Sequence, residues 1–159
     1  MGQKGTEIAE LDVQELIQDL NRAYADEWLA AYAYTYMAQV VEGRPAAKNL
    51  ESELKKLAEE ELEHQQELAE RIAQLGGKPL SDPMKLVETS NEGYPAPPKD
   101  PKDIEAIIRT VIEAERGAIG VYNALLKKTA GKDPITYELI RHILEEEVKH
   151  EDDFEMILS

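Results

Sequence analysis

How this chain folds is decided by two closely similar hexapeptides, Glu59-Glu60-Glu61-Leu62-Glu63-His64 and Glu145-Glu146-Glu147-Val148-Lys149-His150. Each contains Glu-x-x-His, and each interrupts an apolar stripe whose members are spaced alternately by four and three residues, as on an amphipathic helix. The first stripe comprises Leu50, Leu54, Leu57, Leu68 and Ile72, and the second comprises Ile140, Ile143, Phe154 and Ile157. Two helices are therefore predicted to carry a glutamate and a histidine on the face that points into the core.

Two further segments carry a stripe of the same kind, each with one glutamate and, seven residues later, one tyrosine. The first stripe is Val13, Leu16, Leu20, Glu27, Ala31, Tyr34, Ala38 and Val41, and the second is Ile104, Ile108, Val111, Glu115, Ala118, Tyr122 and Leu125. Seven residues make about two helical turns, so the glutamate and the tyrosine share a face. The chain is thus an approximate internal repeat, in which Glu27, Tyr34, Glu61 and His64 correspond to Glu115, Tyr122, Glu147 and His150.

Proline, glycine and aspartate delimit four helices, at about 11–42, 45–75, 101–130 and 134–157. Asp100-Pro101 and Asp133-Pro134 each combine an acidic N-cap with a proline in the first turn, and Gly76-Gly77 ends the second helix. The short links between the first two and the last two helices predict antiparallel hairpins. The segment 76–100 is long enough to run along the bundle, with a short helix near 83–89. We expect one all-α domain over 1–159, an antiparallel four-helix bundle with one long crossover between helices two and three.

The amino-acid composition and net charge limit the kinds of partner that the protein is expected to bind. The formal net charge of −15 disfavours a sequence-independent grip on DNA, which depends on lysine and arginine at the phosphates, and cations are the more natural partners. Without cysteine, a metal would have to be held by oxygen and nitrogen ligands. No stretch is apolar enough for a signal peptide or a membrane span, so we expect a cytoplasmic protein with no membrane partner.

Four core carboxylates would repel one another and lose their hydration unless something neutralised them. Two divalent cations would match four ionised glutamates and leave the two histidines as neutral nitrogen donors. Oxygen ligands with some imidazole suit iron or manganese, with zinc as a common substitute.

Two Glu-x-x-His helices together with two Glu helices resemble the ferritin-like di-iron carboxylate proteins. The resemblance extends from about Leu16 to Ile157 and is closest to bacterioferritins and to Dps-like proteins with a bacterioferritin-type site. It implies two iron ions per chain, bridged by Glu61 and Glu147. It also implies that Glu27 and His64 complete one metal position, that Glu115 and His150 complete the other, and that Tyr34 and Tyr122 hydrogen-bond the ligand carboxylates.

Two positions depart from the bacterioferritin pattern. Leu62 stands where bacterioferritin has its haem-binding methionine, so haem is not expected. Only nine residues follow His150, which leaves no space for a fifth helix and resembles the Dps-like proteins. The resemblance therefore implies a homo-oligomer and favours a dodecameric cage, although Dps proteins build their iron site between subunits and this ligand set is complete in one chain.

A few residues offer other interpretations. Glu113 lies two positions from Glu115 but is predicted to point away from the core, and His142 is predicted to lie on the surface. Trp28 and the tyrosines at 24, 32 and 36 suit a subunit interface at least as well as electron transfer.

The sequence is compatible with three functions. The leading one is a ferroxidase that oxidises Fe(II) with oxygen or hydrogen peroxide for iron storage and protection against oxidative stress. The second is a peroxidase of rubrerythrin type or a di-metal oxidase that does not store iron. The third is a DNA-protecting assembly or a purely structural bundle, and the acidity of the chain argues against direct DNA binding.

Overall fold

Helices are the only regular secondary structure in the part of the chain that the computed structural model describes, residues 2–43 and 45–159. In chain order the helices are α1 (Gln3–Glu7), α2 (Val13–Val40), α3 (Pro45–Gln74), α4 (Leu86–Thr89), α5 (Ile104–Thr129) and α6 (Pro134–Leu158), with a 3₁₀ turn at Pro83–Lys85 before α4. The long helix α2 packs along α3, and α5 packs along α6. Contacts of α2 with α5 and of α3 with α6 close the bundle. The predicted four-helix bundle with one long crossover is confirmed.

Helix ends follow capping chemistry, with one shift from the predicted positions. Asp133 caps α6 as predicted, and its carboxylate accepts hydrogen bonds from the backbone of Ile135 and Thr136. In contrast, α5 begins at Ile104 and not at 101, because Asp103 and not Asp100 caps it. The five-residue helix α1 lies in a polar segment where no helix was predicted.

The core consists of two apolar clusters at the two ends of the bundle, with a polar layer between them. One cluster includes Met37, Leu54, Val111 and Phe154, and the other includes Leu20, Leu68, Leu125 and Ile143. Each cluster takes side chains from all four long helices, as expected for antiparallel neighbours. One residue of the predicted stripes departs from this pattern, since Ile157 near the end of α6 is exposed.

The crossover is fastened to α2 at two points. Near its start the side chain of Asn21 donates to the carbonyl of Lys78 and accepts from the backbone N–H of Leu80, at 3.1 and 2.8 Å. Farther along, Asp26 accepts from the backbone N–H groups of Asn91 and Glu92. The second fastening brings the crossover close to the polar layer. No helix in the described ranges has both the length and the apolar character needed to cross a membrane.

Candidate di-metal centre

The polar layer between the two apolar clusters contains every glutamate and histidine that the sequence placed on the inner faces. These six residues are each no more than 4 % exposed: Glu27, Glu61, His64, Glu115, Glu147 and His150. They come from all four long helices, because each stripe brings its polar members to the same height in the bundle. The structure thus brings together the complete set of predicted ligands, and their binding of metal stays a prediction.

The six side chains form two overlapping groups of four. Glu27, Glu61, His64 and Glu147 form one group, and Glu61, Glu115, Glu147 and His150 form the other. Within each group, one potential ligand atom per residue lies within 4.8 Å of all the others. Glu61 and Glu147 belong to both groups, as the resemblance implies for bridging carboxylates.

Both histidines point Nδ1 toward the carboxylates of the layer. The Nδ1 atom of His64 lies 2.9 Å from Oε1 of Glu147 and 3.2 Å from Oε2 of Glu61. That of His150 lies 3.2 Å from Oε2 of Glu115 and 3.5 Å from Oε1 of Glu61. Nδ1 is therefore the nitrogen that each ring would offer to a metal.

Sequence reasoning missed the partners of the other ring nitrogens. Nε2 of His64 lies 2.6 Å from Oε2 of Glu146, and Nε2 of His150 lies 2.7 Å from Oε2 of Glu60. Each pair joins α3 to α6, so each glutamate orients the histidine of the other hairpin. A carboxylate that accepts the Nε2 proton leaves the Nδ1 lone pair free for a metal. The repeated Glu-Glu at 60–61 and 146–147 was the available signal, since in both copies the first glutamate precedes the inward one.

The two tyrosines link α2 with α5. The hydroxyl of Tyr34 donates to Glu115, and the hydroxyl of Tyr122 donates to Glu27. Burial, followed by the negative charge of nearby glutamates, raises the pKa of both phenols, so each keeps its proton as a donor. The hydrogen bonds that the resemblance implied are present, and each tyrosine serves the glutamate of the opposite hairpin.

Concentrated negative charge dominates the electrostatics of the layer. Burial and the charges of neighbouring glutamates raise the pKa of Glu61 and Glu147 well above the ordinary range. Burial opposes ionisation of Glu27 too, but hydrogen bonds with Glu61 and His64 hold its pKa below the ordinary value. For both histidines, burial lowers the pKa, but the carboxylates outweigh it and raise the pKa overall.

Two buried oxygens in the layer, Oε1 of Glu61 and Oε1 of Glu147, make no hydrogen bond of acceptable geometry to any described residue. The nitrogens near them are Nδ1 of His150, 3.5 Å from the Glu61 oxygen, and Nδ1 of His64, 2.9 Å from the Glu147 oxygen, which are the atoms that would bind the same metal. A buried carboxylate oxygen without a partner costs free energy, and a cation between the groups would remove that cost. Four carboxylates and two imidazoles are also ligands that iron and manganese accept. The donor set and the unpartnered oxygens both fit two divalent ions.

The residues that the sequence analysis did not assign to the metal centre lie outside the polar layer. Glu113 is exposed, with a carboxylate oxygen 2.9 Å from Nη1 of Arg116. Nε2 of His142 lies 3.6 Å from Glu67 and 3.7 Å from Glu146, on a half-exposed side chain. Trp28, Tyr32 and Tyr36 are exposed on α2.

Comparison with known proteins agrees with the fold. Residues 17–159 match the ferritin-like domain. A DNA protection during starvation protein from Pyrococcus furiosus is 36 % identical over 154 residues, which is 94 % of this chain and 80 % of that protein.

Two solved structures are informative neighbours. One is a dodecameric thioferritin, the bacterioferritin-related protein of Bacteroides fragilis, with a TM-score of 0.92 and 36 % identity over 99 % of this chain and 93 % of the other. The second is the bacterioferritin of Desulfovibrio desulfuricans, described with a di-iron site. Its TM-score is 0.77, with 26 % identity over 92 % of this chain and 79 % of the other. This chain belongs to the ferritin-like family.

Proposed function

We propose that the protein is a di-iron ferroxidase, with Fe(II) as its substrate. The observation that carries the proposal is the pair of four-residue groups that share Glu61 and Glu147. The buried Oε1 atom of each shared glutamate makes no hydrogen bond to a described residue. Sharing two carboxylates would hold two metal ions close together and balance their charge. Iron is the preferred metal, with manganese and zinc as the alternatives.

The proposed reaction takes one electron from each of two Fe(II) ions. With hydrogen peroxide as oxidant, the two electrons and two protons break the O–O bond and form two waters. With oxygen as oxidant, the same electrons and protons form hydrogen peroxide. The ferric product would leave the site for storage.

Residues of this chain would perform three tasks in that reaction. Glu27 and Glu115, each fixed by a tyrosine hydroxyl, would hold one iron each. Glu60 and Glu146 would keep the imidazoles in the tautomer whose Nδ1 accepts a metal. The apolar clusters above and below would keep bulk water from reaching the polar layer along the bundle axis.

We further propose a cytoplasmic dodecameric cage that stores iron and protects the cell by consuming Fe(II) and oxidant. The dodecameric relative at 36 % identity supports the assembly. A relative carries DNA protection in its name, but the net charge of −15 makes chemical removal of iron a better route to protection here than contact with DNA.

Size-exclusion chromatography with light scattering, combined with anaerobic Fe(II) titration and then oxygen or peroxide, tests the proposal. We expect a cage-sized oligomer, a first phase that saturates at two Fe(II) per chain, and further iron uptake after it. Glu61→Ala and His150→Ala should each slow that phase by at least about tenfold, as loss of even a supporting residue can. Glu53→Ala, at an exposed position of α3 away from the polar layer, serves as the matched control.

Other outcomes would replace the proposal. A small oligomer that stops at two irons per chain and turns over peroxide with an added reductant would indicate a peroxidase of rubrerythrin type or a di-metal oxidase. Oxidation at the same rate in the wild type, Glu61→Ala and His150→Ala would contradict a reaction at this site.

A further inference from the structure

A cavity of about 450 Å³ lies beside the polar layer, between α2, α5 and the end of the crossover. Its inner wall includes Glu61, Glu115 and Glu147, all buried. Its outer wall includes Glu92 and Arg109, both exposed. One continuous space therefore joins the surface of the subunit to the candidate ligands.

The inner end of the cavity offers unsatisfied oxygen ligands. Glu61 and Glu147 line this end of the cavity. Their Oε1 atoms make no hydrogen bond to any described residue. An ion that reached this end would meet buried, acidic oxygens together with the Nδ1 atoms of His64 and His150, which would bind the same ion. The inner end is thus built to receive a cation from this cavity.

Charge at the outer end is unbalanced toward the negative. Arg109 is neutralised by Glu105, at 2.6 Å, and Glu113 is neutralised by Arg116. Across residues 2–43 and 45–159, neither Asp26 nor Glu92 forms an ion pair, and both line the cavity. Uncompensated carboxylates at the mouth of a cleft raise the local concentration of cations.

Glu92 is held at the mouth by two separate features. Its backbone N–H donates to the Asp26 carboxylate at 3.0 Å. Its side chain lies against α5 at Gly117, where an added Cβ would stand 2.6 Å from Oε2 of Glu92. Gly117 provides the space in which the Glu92 carboxylate rests beside the cavity.

We propose that Fe(II) reaches the di-metal site through this cavity within a single subunit, and that Glu92 is the first carboxylate to attract it. The inference rests on the proposed function for the identity of the ion. The geometry of the route does not depend on that function, because Co(II) and other divalent ions would follow the same path. Ala30 and Ala114 are small side chains on the wall that keep the passage open.

Filling the passage tests the route. Ala114→Phe adds a ring to the wall of the cavity, and Ala124→Phe makes the same change at an exposed position of α5 outside it. The rate of Co(II) uptake is measured by stopped-flow absorbance on the assembled protein, and the final stoichiometry by metal analysis. We expect Ala114→Phe to fill at least about tenfold more slowly, within the range over which association rates vary among mutants, and to reach the same final stoichiometry. Ala124→Phe should match the wild type.

A second variant keeps the test decisive if Ala114→Phe fails to fold. Glu92→Gln removes the charge at the mouth, and Glu53→Gln makes the same change at an exposed position of α3 outside the cavity. We expect Glu92→Gln to slow uptake about threefold at low ionic strength, with a deficit that disappears at high salt. Glu53→Gln should leave the uptake rate unchanged.

The two proposals fail in different ways. If the folded cavity variants take up Co(II) as fast as the wild type, or if the Phe variants slow uptake equally, the route is overturned. If Ala114→Phe does not fold, equal rates for Glu92→Gln and Glu53→Gln overturn it. If the cavity variants slow uptake but the wild type does not oxidise Fe(II), the route stands and the ferroxidase proposal fails.

Discussion

Two clusters of buried charged side chains differ in how their charge is balanced. Near one end of the bundle, Nη2 of Arg71 donates to both carboxylate oxygens of Asp133 at 3.1 and 3.0 Å, and Nε donates to Thr136. In the candidate metal centre, four glutamates surround two histidines, and two carboxylate oxygens make no hydrogen bond to a described residue. The first cluster is neutral by itself, whereas two cations would balance the four carboxylates of the second. The difference distinguishes a polar cluster whose charges are paired within the fold from one whose side chains could bind metal.

The largest expected effect comes from breaking the neutral cluster. Asp133→Ala leaves the Arg71 guanidinium buried without its partner and also removes the cap of α6. We expect the free energy of unfolding to fall by about 3–5 kcal/mol, as for other buried pairs that lose one partner. Urea unfolding followed by circular dichroism measures the change. Asp103→Ala, which removes only the cap of α5, should cost about 1 kcal/mol. Equal losses in the two variants would contradict the difference between the clusters.

The second-largest effect should be stabilisation by a bound metal ion, which depends only on the candidate metal centre. Mn(II) at about one hundred times its dissociation constant should raise the free energy of unfolding by about 2.7 kcal/mol per site. Glu61→Ala should lose most of this increment because Glu61 belongs to both ligand groups. Asp133→Ala should keep it, since its cluster binds no ion. Thermal unfolding with and without Mn(II) measures this stabilisation. If Mn(II) stabilised Glu61→Ala as much as the wild type, Mn(II) would not be bound at this site.

A smaller effect should follow from the carboxylates behind the histidines. Glu146→Gln weakens the acceptor that orients His64, and Glu60→Gln does the same for His150. We expect each variant to bind metal about 10- to 100-fold more weakly, which is typical for a residue that orients a ligand. Competition titration against a chelator gives the affinity. Glu59→Gln, an exposed neighbour on α3, should bind like the wild type. If it weakened binding equally, the cause would be general charge and not histidine orientation.

The last effect, and the one with opposite signs in the two clusters, is the dependence of the free energy of unfolding on pH. Burial and neighbouring charges raise the pKa of Glu61 and Glu147, so stability that is present below the ordinary value of 4.5 is lost as pH rises. Burial would raise the pKa of Asp133, but Thr136 and Arg71 lower it overall, so its contribution is present above 3.8 and is lost on acidification.

Metal-free protein should therefore become less stable from about pH 5 upward, by about 1.4 kcal/mol per pH unit for each excess bound proton. The raised pKa values of His64 and His150 act in the same direction above 6.5. The lowered pKa of Glu27 has the opposite effect, but only below its ordinary value of 4.5, outside this range. Glu61→Gln with Glu147→Gln should flatten the profile, measured by thermal unfolding of chelator-treated protein. Parallel profiles for this variant and the wild type would refute the assignment.

The sequence alone predicted the bundle and the inner ligands because both depend on helical periodicity. A residue's face on a helix follows from its spacing, so Glu61 and His64 could be assigned to the core without coordinates. The pairing of hairpins followed from link length, and the crossover from the length of 76–100. Helix starts were less certain, because Asp100 and Asp103 are both suitable caps and the local turn decides between them.

The sequence by itself determined the four long helices, the crossover and the six side chains that face the polar layer. Only the tertiary structure decided that Glu60 and Glu146 orient the histidines, that each tyrosine serves the opposite hairpin, and that a cavity at Glu92 leads to the layer. The physical reason is that periodicity states which face a side chain occupies, but not which neighbour it meets. Contacts between helices depend on the rotation and height at which they pack, and those are set by the whole core.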